Sequence, residues 1–154
     1  MELHERLEKL LWSIALPGFG QLLNGKYVKG IVFIGLEFVV NMKSHLNEVI
    51  LLSFQGDIPS AILHTDYQWI MFYPCLYMFA MWDAVKDAGG GSTPYSTLPY
   101  VCAAFLATVG LMYSDRCVIL GFLMGPVWLA MLLCFIGITI GVTLQVTINR
   151  KSRA

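Results

Sequence analysis
Residues 118–147 read VILGFLMGPVWLAMLLCFIGITIGVTLQVT, thirty positions without one charged side chain, and Arg150, Lys151 and Arg153 follow close behind. At 1.5 Å per residue a helix of that length exceeds the roughly 30 Å hydrocarbon core of a bilayer. Gly125-Pro126 offers a break, because the residue before proline avoids helical angles and proline suits a first helical turn. The stretch therefore predicts a short leading piece and a span from about Pro126. Working outward, the blocks at 27–44 and 67–85 are long enough to cross, and 95–113 is so with its polar start included. The chain reads as all-α: a polytopic membrane helix bundle of four full spans, forming a single integral-membrane domain over residues 1–154. Residues 1–23 would form an amphipathic, re-entrant or short fifth segment.

Composition agrees with that class. Of 154 residues, 57% are apolar and 13% charged, against roughly 25% charged in an average soluble domain. Ten Lys and Arg balance ten Asp and Glu, so there is no electrostatic footprint for nucleic acid. The apolar excess excludes low-complexity disorder. Cys75, Cys102, Cys117 and Cys134 are widely spaced, without a Cys-x-x-Cys, and suggest buried thiols rather than a disulfide framework or a zinc site.

Glu2, Glu5 and Glu8 against Arg6 and Lys9 give the amino terminus the wrong charge for a signal peptide, so insertion without cleavage is expected. Leu3, Leu7, Leu10, Leu11 and Ile14 recur at helical spacing and predict an amphipathic helix in the interface. Residues 10–23, interrupted by Pro17, Gly18 and Gly20, fit a re-entrant segment better than a crossing. With that choice Arg6, Lys9, Lys26, Lys29, Lys86, Arg150, Lys151 and Arg153 share one side, leaving Lys43 and Arg116 on the other. By the positive-inside rule both termini are then cytoplasmic; five spans are the alternative. Trp12, Tyr27, Tyr67, Trp69, Trp82, Tyr95, Tyr100 and Tyr113 fall near the segment ends, as interfacial anchors do. Gly89-Gly90-Gly91-Ser92 with Pro94 makes a turn, without the spacing of a phosphate loop.

The densest motif is Pro17-Gly18-Phe19-Gly20-Gln21 followed by Asn24-Gly25-Lys26-Tyr27-Val28-Lys29-Gly30. Its glycines permit a tight turn and close helix approach, and Lys26 and Lys29 sit where anionic headgroups would meet them. This stretch resembles the hairpin of the two-transmembrane-segment domain family. The chain more closely resembles small multi-pass membrane proteins of Bacillus-type bacteria, in which a later span ends in an aspartate-alanine pair, here Asp83-Ala84 and then Asp87-Ala88. The acidic-arginine-aromatic turn common in the two-segment domain is replaced by Asn24-Gly25-Lys26-Tyr27, so no signalling role is carried over. The resemblance implies a bacterial plasma-membrane protein of unassigned activity.

Asp83 and Asp87 read as an interfacial helix end with Lys86 as a local partner. The alternative, a metal-binding Asp-x-x-x-Asp of a lipid-headgroup enzyme, lacks the Asp-Gly-x-x-Ala-Arg that should precede it. Glu37 lies eight residues beyond Lys29, about 12 Å along a helix, which in a spanning helix is close to mid-membrane. Asn41, Ser44 and Glu48 would continue on its face, with His45 beside it, as polar glue between helices or as a protonatable site on a solute path. Desolvation there would favour a neutral Glu37. His45 with Glu48, and His64 with Asp66, could in principle ligate a metal, but chance spacing is the simpler reading and no metal or cofactor is expected. The intervening outside segment, 47–66, reads as a helix extension and a loop.

Gly121 with Gly125, and Gly137 with Gly141, form small-x-x-x-small pairs that allow close helix packing. No Ser-His-Asp or Cys-His arrangement has supporting context. The expected role is non-enzymatic, that of a partner, assembly or envelope-maintenance protein in contact with lipid and with another membrane protein or itself. The alternatives are a small transporter or channel component using Glu37 and, third, the headgroup enzyme.

Overall fold
The computed structural model describes residues 2–152; Arg153, counted above among the cytoplasmic charges, lies outside the described residues, as do Met1 and Ala154. The side chains of Glu2, Leu3 and Ser92 are likewise outside the description. The chain runs through α1 (Glu2–Ala15), α2 (Phe19–Leu23), α3 (Tyr27–Ser44), α4 (Leu46–Phe54), α5 (Ile58–His64), α6 (Tyr67–Ile70) and α7 (Tyr73–Asp87). A 3₁₀ turn (Gly90–Ser92) then leads to α8 (Leu98–Met112), a hairpin of β1 (Val118–Ile119) and β2 (Phe122–Leu123), and α9 (Gly125–Lys151).

A bundle of four full spans is not what forms. Among the described residues only α9 is both long and apolar enough to cross a membrane, so a multi-pass arrangement is not supported. Each of the other expected spans fails for its own reason. Lys29, Glu37 and Lys43 put three charges into the 18 residues of α3. The block at 67–85 breaks at Met71 and Phe72 into α6 and α7, where Pro74, lacking an N–H, takes an early position in the new helix. Helix α8 does not begin until Leu98 and has 15 residues, about 22 Å of rise.

The fourth difference lies in the opening stretch itself, whose first six residues form a two-stranded hairpin rather than helix. Val118 pairs with Leu123 and Ile119 with Phe122, antiparallel. The two residues between them, Leu120 and Gly121, have φ of 52° and 84°, the left-handed angles that a tight two-residue hairpin demands at both positions. An apolar run of this length has no periodicity that separates strand from helix. Residues 47–66, read as a helix extension and loop, are mostly helical. Asp57 accepts from the Ser60 N–H at 3.2 Å and so starts α5 as an N-cap.

Packing is carried by small residues. The most extensive helix contact is between α8 and α9, which cross closely because Gly137 lies against the backbone of Cys102 and Ala103, and Gly141 against Leu98 and Pro99. Gly121 and Gly125 do not form the second helix-packing pair that their spacing suggested. Gly121 faces open space in the hairpin, and Gly125, at φ 67°, lies against Ile58. One buried cluster unites Leu46, Ile70 and Leu111; another unites Met78, Met81 and Ala103.

Candidate functional site
The two motifs that the sequence singles out separately meet in space. Pro17 and Gly18 turn the chain out of α1, with Gly18 at φ 105°, an angle that glycine adopts without a Cβ penalty. The turn presses against α3, since a Cβ on Gly18 would stand 2.5 Å from Gly30 O. Gly20 then lies between Ser13 and Ala84, where a Cβ would come within 2.7 Å of the Ala84 methyl. Ala80 and Ala84 are fully buried. With Asp83 and Asp87 they make up one face of α7, as residues three and four apart must.

Onto that face the hairpin places a row of donors. Gln21, wholly buried, donates from Nε2 to Ala80 O at 2.8 Å and to Asp83 Oδ2 at 3.1 Å. Asn24 Nδ2 donates to Ala84 O at 2.8 Å. Lys29 Nζ sits 2.8 Å from Asp83 Oδ1 and 2.9 Å from Asp87 Oδ2. Farther along, Arg6 Nε donates to Ala88 O at 3.3 Å. The electrostatics are consistent: carboxylates at a helix C-terminus oppose the macrodipole, and cations there favour it. Lys29 offsets the conflict that Asp83 and Asp87 create. Its hydrogen bond to Asp83, and next that to Asp87, hold its ammonium above the ordinary lysine range.

This corrects the assignment of Lys86 as the partner of these acids. Lys86 instead stands over the Trp82 ring, 4.7 Å from its centroid, a cation–π contact. Lys29, read as a headgroup contact, is engaged within the protein, whereas Lys26 is exposed at the hairpin tip beside Gly25. Lys29 also supplies between the two aspartates the positive charge that a metal would bring. Among the described residues no three His, Cys, Asp or Glu side chains gather to hold an ion.

The polar stripe from Glu37 is interrupted. His45, at φ 58°, ends α3 and starts α4 in a new direction, so Glu48 does not continue the face of Glu37. Glu37 is buried at 6% exposure, and its Oε1 accepts from the Tyr73 hydroxyl at 3.2 Å, while its Oε2, with Asn41 nearby, has no hydrogen bond of normal geometry among the described residues. Asn41 Nδ2 donates to Asn47 Oδ1 at 3.1 Å, and Ser44 is fully buried. Glu48 stands in solvent between His45 and His64, at 4.0 and 3.7 Å. Asp66 turns away to cap α6 through the N–H groups of Gln68 and Trp69.

Arg6 entered the sequence reading only as a cytoplasmic charge, and Tyr73 and Tyr77 escaped it. Tyr73 and Tyr77 stand one helical turn apart, with Tyr77 donating to Ile14 O. Two tyrosines at i and i+4 in an apolar helix were the available signal, since a buried hydroxyl needs an acceptor. Between α7 and α9, over α8, lies an apolar groove of about 790 Å³ that none of the motifs announced. Compared with known proteins, the chain matches no family model, no curated protein and no solved structure.

Proposed function
We propose that this chain is a membrane-seated, non-enzymatic partner or assembly protein, anchored by α9. The observation that supports the reading is the exposure of that helix. Only 17% of its most apolar window is buried within the protein, whereas the core helix of a water-soluble domain hides its apolar side chains. Leu132, Phe135, Ile136, Ile140 and Leu144 all point outward. A helix of 27 residues rises about 40 Å, enough for the roughly 30 Å core. Its basic last turn, Arg150 and Lys151, suits the cytoplasmic surface.

The clamp between the hairpin and α7 has a structural part in this reading: it fixes α3 so that Val28, Ile31 and Phe38 face outward, at 79, 67 and 63% exposure. An apolar surface of that kind calls for an apolar partner. The test is photo-crosslinking from position 38 in native membranes, followed by extraction in mild detergent and mass spectrometry. A crosslinked partner in fixed ratio supports the role; a chain that comes out alone, crosslinked only to lipid, rejects it.

A second reading, a small transporter or channel component using Glu37, has on its side the buried Oε2, which among the described residues makes no hydrogen bond of normal geometry. It requires Glu37→Gln to abolish a measurable ion or solute flux while the fold persists.

A further inference from the structure
The groove is walled chiefly by α7, α8 and α9, with Leu10 and Ile14 of α1 and Leu46 and Ile50 of α4 also lining it. Tyr77 and Met81 line it from α7, Tyr100 and Ala107 from α8, and Cys134 and Ile138 from α9. From Tyr73 to Lys86 it follows α7 for about 20 Å by helical rise, more than the roughly 15 Å of one bilayer leaflet. Its volume, about 790 Å³, lies within the roughly 300–1,000 Å³ typical of small-molecule sites.

Charge distinguishes its two ends. Among the described residues Lys86 is the one charged residue that lines the groove, and no acid does. Among the described residues no carboxylate lies within ion-pair distance of Lys86. Gly91, which packs against Lys86, and Gln145, whose Nε2 lies 3.5 Å from Pro94 O, line the same end. Gln145 lies five residues before Arg150, about 7.5 Å of rise, so this end is also the basic end of α9. A cation at the mouth of a long apolar trough is complementary to an acyl chain that carries an anionic head.

We propose that the groove holds one acyl chain of an anionic phospholipid of the membrane, with its headgroup against Lys86. The proposal rests on the membrane-seated reading of α9 and assigns that seat a lipid preference. Trp82 also lines the groove, beneath Lys86, and reports occupancy. In a full-length chain with Trp12, Trp69 and Trp128 replaced by Phe, Trp82 fluorescence is measured in phosphatidylcholine nanodiscs. These are doped with phosphatidylglycerol or with phosphatidylcholine brominated near the carboxyl end of the acyl chain.

At equal mole fraction brominated phosphatidylglycerol should quench about fivefold more effectively, the attraction expected of one lysine at a membrane surface. Lys86→Gln should bring the ratio to about one, Lys86→Arg should restore it, and Cys134→Phe, which fills the trough, should lower quenching by both lipids. Equal quenching by the two lipids, or a preference that survives Lys86→Gln, overturns the lipid site while leaving the membrane seat in place. Quenching by neither overturns both.

Discussion

Lys29 and Asp83 are 54 positions apart in the chain and 2.8 Å apart in space, joined by a hydrogen-bonded ion pair. The pair ties the amino-terminal hairpin to the end of α7. Asp83 is nearly buried, its side chain 10% exposed, whereas that of Lys29 is 46% exposed. The two ends of the bond are therefore unequal in what their loss costs. Removing the buried carboxylate strips Gln21 and Lys29 of an acceptor, while removing the lysine admits water to its side of the pair.

Asp83→Ala should destabilise the fold by about 2 kcal/mol and Asp87→Ala by less than about 1 kcal/mol. Thermal unfolding in mild detergent measures both. In a double-mutant cycle, Lys29→Met with Asp83→Asn should show a coupling of about 1 kcal/mol. Additive effects would mean that the pair contributes no interaction energy.

Gln21 carries two donor bonds from a wholly buried side chain. Gln21→Ala should cost about 2–3 kcal/mol through lost hydrogen bonds and a cavity, and Gln21→Leu about half of that, because leucine refills the space. The same melts compare the two variants.

Two glycines should respond in opposite senses. At Gly137 a Cβ would stand 2.5 Å from Cys102 O, whereas at Gly35 nothing lies within 4 Å. Gly137→Val should force α8 and α9 apart, at a cost of about 2 kcal/mol or more. Gly35→Ala, inside α3, should stabilise by about 0.5–1 kcal/mol through helix propensity.

The pH dependence of the clamp follows from the sign of the Lys29 shift. Folding raises the Lys29 ammonium above its ordinary value of 10.5. Stability from this group is therefore fully present below that value and is lost as pH rises through the higher folded one. Wild type and Lys29→Met should differ in melting temperature by a constant amount from neutral pH to about pH 10. The difference should shrink at more alkaline pH.

What the sequence could disclose depended on the range of the interaction. Local features were readable: helical spacing in α1, the break at Gly125-Pro126, and the prominence of the Pro17–Gln21 turn and of Asp83 and Asp87. Pairing was not, because Lys86 is three residues from Asp83 along the chain while Lys29 reaches it only once the hairpin has folded back. Hydropathy also gave no sign that residues 118–123 form strands or that 67–85 is interrupted at Met71 and Phe72, since both stretches are apolar in either conformation. Counting apolar blocks therefore overestimated the crossings. The groove was invisible for a similar reason, its lining being divided among six helices that only tertiary structure aligns.

The central claim is that α9 seats the chain in a membrane, and Phe135, midway along the helix and 62% exposed, is the position that tests it. A spin label there, in a cysteine-free chain with Phe135→Cys, can be compared in lipid vesicles with one at position 152, just past the helix end. The account predicts that relaxation at 135 is enhanced by oxygen and not by a water-soluble nickel chelate, and that position 152 shows the reverse. Ready access of the chelate to 135 would contradict it.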